Sequence, residues 1–70
     1  MQGYNLFRCK SETGVFCAVP EDRVIPGFVT AERWEFSGKA DGDRAVPLGF
    51  DGVAAALGVR FNGFYLFEAF

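Results

Sequence analysis

Twelve aromatic side chains in a chain of seventy residues, nine Phe, two Tyr and Trp34, constrain this sequence more than any other feature. Rings need burial, and a domain of this size hides only about 60% of the surface that its unfolded chain exposes. Some rings are therefore expected to lie beyond what one copy can enclose, on a surface that fits a partner. With half of the residues apolar and 23% charged, the chain is expected to fold, as one small domain over residues 1–70.

Two β-favouring runs open the chain. Tyr4 to Cys9 and Val15 to Val19 flank the turn-rich Lys10-Ser11-Glu12-Thr13-Gly14. A three-residue loop ending on a left-handed Gly14 predicts a hairpin with Cys9 opposite Cys17 and Phe7 opposite Val19. Phe7, Cys9, Val15, Cys17 and Val19 then share one face, and Tyr4, Leu6, Phe16 and Ala18 share the other. Both faces are apolar, so the pair is expected to be covered on both sides. Pro20 ends the second strand, and Pro20–Gly27 reads as a Pro-bracketed loop. Thr30 to Glu32 is expected to make one helical turn. Arg33 to Ser37 alternates as a half-buried strand with Trp34 and Phe36 inward. Arg44 to Leu48 is expected to pair back on it as a short edge.

Residues 51–61 carry the best helical pattern. Asp51 is the expected N-cap with Phe50 placed as a staple, Arg60 suits the C-terminal end, and Asn62-Gly63 supplies the stop. Val53, Leu57 and Phe61 are expected to face the sheet, over the two reduced cysteines. Phe64 to Ala69 reads as a final strand, central in the sheet because it is apolar on both faces. The fold class is α+β: a small, mostly antiparallel sheet of four to five short strands with one helix on one face.

Chemistry is harder to find. The chain has no histidine, which removes the usual catalytic base and the commonest metal ligand. Cys9 and Cys17 lack metal-site spacing, and Ser11 and Ser37 have no base beside them. Glu32 and Glu35 flank an inward Trp34, as a solvated strand face does. No cofactor, no metal and no catalytic residue is expected, and the chain is not expected to be an enzyme. Seven basic and nine acidic residues give a net charge of −2, with the basic ones scattered singly, which argues against nucleic acid and anionic membrane as partners. Gly63 to Phe67 carries aromatics as the RNA-reading strand of RNA-recognition domains does, but Tyr65 stands where a small residue should separate the stacking rings. The first residues lack the basic and apolar regions of a signal peptide, and a cytoplasmic location is expected.

Tyr4-Asn5-Leu6-Phe7-Arg8, Trp34-Glu35 and Gly63-Phe64-Tyr65-Leu66 resemble landmarks of short bacterial proteins of unknown function. The resemblance spans about a fifth of the chain. It implies a small strand-rich domain with one helix, and no activity or site residues.

The sequence thus points to a small protein-interaction module, homodimeric or bound to another protein through an aromatic-rich sheet face. Tyr4, Leu6, Phe16, Trp34, Tyr65 and Phe67 are its candidate interface residues. The alternative is a small-ligand-binding or regulatory accessory domain, with Trp34 and the Pro20–Gly27 loop flanking an apolar cleft.

Overall fold

The computed structural model describes residues 3–41 and 49–69. The expected edge strand Arg44–Leu48 lies outside the described residues. The elements follow in the order β1 (Gly3–Cys9), β2 (Val15–Pro20), β3 (Trp34–Asp41), α1 (Gly52–Asn62) and β4 (Tyr65–Glu68). The strands form one four-stranded sheet in the order β3-β1-β2-β4, with each neighbouring pair antiparallel. This is the expected α+β architecture.

The β1–β2 hairpin forms two residues out of the expected register: Phe7 lies opposite Cys17, and Leu6 opposite Ala18. The expected pairing of Cys9 with Cys17 is therefore corrected. Lys10 and Ser11 leave the ladder because their polar groups bond elsewhere. The Lys10 amide donates to Arg33 O at 2.7 Å, and the Ser11 hydroxyl lies 3.4 Å from Cys9 Sγ. A shift of two preserves the alternation, so each residue keeps the face that the sequence assigns it.

In β3 one extra residue sits opposite β1. Ser37 and Gly38 together oppose Leu6, between the pairs Phe7–Phe36 and Asn5–Lys39. Gly38 has φ +102°, a conformation that an L side chain rarely adopts, so glycine is required at this bulge. The bulge changes the phase of the strand. Trp34 and Phe36 share the face of Cys9 and Phe7, while Ala40 joins Tyr4 on the other face. On that second face, Arg8 forms an ion pair with Glu35 across β1 and β3.

The helix begins and ends where the sequence places its caps. Asp51 Oδ1 accepts from the amides of Val53 (2.9 Å) and Ala54 (3.2 Å), and Gly63 closes the C-terminus at φ +85° with its amide donating to Val59 O. The side on which it lies is a correction. It covers the face of Tyr4, Leu6, Ala18, Ala40 and Phe67, which form one buried cluster with Ala55. Small residues decide this. Ala55 is fully buried, and a Cβ at Gly58 would stand 3.1 Å from Phe64 O and 3.4 Å from the Tyr65 ring. Phe50 fixes the helix start by packing its ring at 5.3–5.7 Å from those of Tyr4, Tyr65 and Phe67. Val53, Leu57 and Phe61 consequently point to solvent, at 74%, 51% and 76% exposure. β4 is an outer strand, correcting its expected central place. The tight turn after α1 lays it along β2 on the helix side, with Phe16 opposite Phe67 and their rings stacked at 5.6 Å.

The other face is covered by the segment between β2 and β3. Phe28 reaches from Trp34 (ring centroids 6.0 Å apart) to Phe64 (4.9 Å), and on this face Cys17 and Val19 are fully buried. The cysteines thus lie under this loop and not under the helix. The expected helical turn is present as a single turn, in which Trp34 N donates to Thr30 O at 2.8 Å.

Candidate functional sites: an outward helix stripe and a cleft at Trp34

The six residues expected at an interface separate. Tyr4, Leu6 and Phe67 are core residues beneath α1, so the proposed sheet surface is not free at these positions. Phe16 and Tyr65 are half-buried at the margin of the same cluster. Trp34 alone lies on the opposite face, half-buried. The helix occupies the surface that the sequence left uncovered, because its small-residue side docks and its large residues face out.

Two other surfaces gather exposed apolar side chains. The first is the outer side of α1, where Val53, Leu57 and Phe61 recur every fourth residue. Ala56 lies beside them, and Arg60 is the one charged side chain of the helix. A helix that is apolar on both sides is the pattern of an element buried all round. The signal was in the sequence: the smaller residues Ala54, Ala55 and Gly58 form a second apolar side, which pattern reading subordinates to the larger residues.

The second is a cleft of about 360 Å³ at the β3 side of the loop-covered face. Phe7, Trp34 and Phe36 line it from the sheet, Val29 to Ala31 form a wall, and Lys10 stands at the rim. Phe7 and Phe36 meet edge to face at 5.9 Å, and Phe36 is 58% exposed. Beyond Trp34 a smaller cleft of about 250 Å³ is bordered by Cys9, Val15, Phe28 and Leu66. Phe28 escaped the sequence reading because it sits in a loop with no periodicity. Phe36, expected inward, is an exposed wall of the cleft.

The thiols differ in environment. The Ser11 hydroxyl holds the Cys9 thiol below its ordinary value, while burial pushes Cys17 up to about 11. Both cysteines are free. Among the described residues, no three His, Cys, Asp or Glu side chains converge as metal ligands would, and no helix is long and apolar enough to cross a membrane. No protein-family model matches this chain, and neither does any curated protein or solved structure.

Proposed function

We propose that the chain is a non-catalytic interaction module that self-associates through the outer side of α1. The observation that carries this reading is the outward row Val53, Leu57 and Phe61 on a helix whose other side is already docked. Exposed apolar patches larger than the ~300–600 Å² found on ordinary monomers mark interfaces.

A second copy fits this row by its own symmetry. Two such helices crossing antiparallel about Leu57 set each Val53 against a Phe61 and oppose their dipoles. A helix of eleven residues is ~16 Å long, so the contact falls below the ~1,200 Å² of a stable complex and the dimer is a weak one. Sedimentation of the full chain from low to high micromolar concentration should show the average mass rising from 7.7 kDa towards twice that value. Leu57→Glu should stay monomeric throughout with its thermal unfolding unchanged. A wild-type chain that remains monomeric at high micromolar concentration overturns the reading.

A further inference from the structure

The geometry points to the cleft at Trp34 as a binding site for a small organic acid with an aromatic or branched apolar body. It does not involve the helix row and stands whether or not the chain self-associates.

The cleft is preorganised by three ties. Lys10 N donates to Arg33 O at 2.7 Å, Lys10 Nζ to Ala31 O at 2.7 Å, and Trp34 N to Thr30 O at 2.8 Å. These bonds tie Thr30, Ala31 and Arg33 to Lys10 and Trp34, beside the rings of Phe7, Trp34 and Phe36 that line the cleft. Its volume lies at the lower end of the range for small-molecule sites, and its lining is mainly apolar with the polar side chains Lys10, Thr30 and Glu35.

Charge decides the class of ligand. Lys10 and Glu35 both border the cleft. The Glu35 carboxylate forms an ion pair with Arg8 on the helix-covered face, so it is already neutralised. Lys10 forms no ion pair among the described residues, and its ammonium donates one hydrogen bond, to a backbone carbonyl. Two of its three N–H donors stay available at the mouth of an apolar pocket. The complement is a ring or branched chain lying on Phe7, Trp34 and Phe36 with a carboxylate turned to Lys10 Nζ. A cationic ligand of the same shape meets repulsion there.

Trp34 is the only tryptophan of the chain and borders both this cleft and the smaller one beyond it, so its fluorescence reports binding and Phe36, which lines only the first, assigns the signal to it. The full chain is titrated with phenylacetate, phenylacetamide and phenethylamine, which share a ring and differ in the charge of the head group. Phenylacetate should saturate the Trp34 signal, the neutral amide should bind about tenfold more weakly, and the amine should not saturate. Lys10→Met should abolish the preference for acid over amide, whereas Lys10→Arg should retain it. Phe36→Ala, at an exposed position that the fold tolerates, should weaken all binding. Equal responses to acid and amine, a phenylacetate signal that never saturates, or an unchanged acid preference in Lys10→Met each overturn the assignment.

Discussion

Beneath α1 the sheet is sealed by side chains that meet at ring and methyl distance. On the opposite face the loop between β2 and β3 seals the centre, where Cys17 and Val19 are fully buried, and leaves Phe36 open at the margin. The difference follows from backbone chemistry. A helix satisfies its own amides and carbonyls, so its smallest side can lie flat on an apolar surface. A loop must find partners for each group and therefore bonds to the ends of β1 and β3, which keeps it near the polar rim. Tight closure and an accessible cleft are two products of the same sheet.

The largest expected test of that contrast is in the cores. Leu6→Ala, under the helix, should cost about 3 kcal/mol in urea unfolding, with Phe28→Ala, in the half-exposed loop, costing about 1 kcal/mol. Equal costs would break the contrast. A smaller effect is alkaline. The folded state holds the Cys17 thiol at about 11 against an ordinary 9.0, so thiolate formation favours the unfolded chain. The stabilisation is complete below pH 9 and is lost as pH rises to 11, by up to about 2–3 kcal/mol. Burial also raises the Tyr4 phenol above its ordinary 10.0 on the helix side. Cys17→Ala should therefore abolish the decline that begins near pH 9 and keep the part that begins above 10, as read from urea midpoints against pH. The smallest effect concerns the helix alone: Asp51→Ala should cost about 1 kcal/mol by removing the acceptor for two helix amides.

Local chemistry made much of the fold legible. Asp51, Gly63 and Gly14 act through their own backbone geometry, so the helix ends and the left-handed Gly14 follow from sequence, whereas the length of the hairpin loop does not. The assignment of residues to faces survived a register error, because the error was even-numbered. What alternation could not reveal was which side of α1 docks. Val53, Leu57 and Phe61 are the larger apolar residues, yet close approach favours Ala55 and Gly58, and that choice depends on Phe50 and Tyr65 arriving from elsewhere. The interface candidates inherited this error, so Trp34 alone among them lies in a cleft. The Lys10 rim was hidden for the same reason, since it exists only once the loop returns over β1.

The spare residue at Ser37-Gly38 has a consequence for how copies of this molecule can meet. A run-on filament needs a straight outer strand to template the next, and β3 offers an unbroken ladder only from Trp34 to Phe36 before the chain bends. Strand addition at this edge is thereby held to a short template, and the opposite edge, β4, offers only the four residues Tyr65–Glu68. The helix contact proposed above, being symmetric, would by contrast be used up after a single pairing.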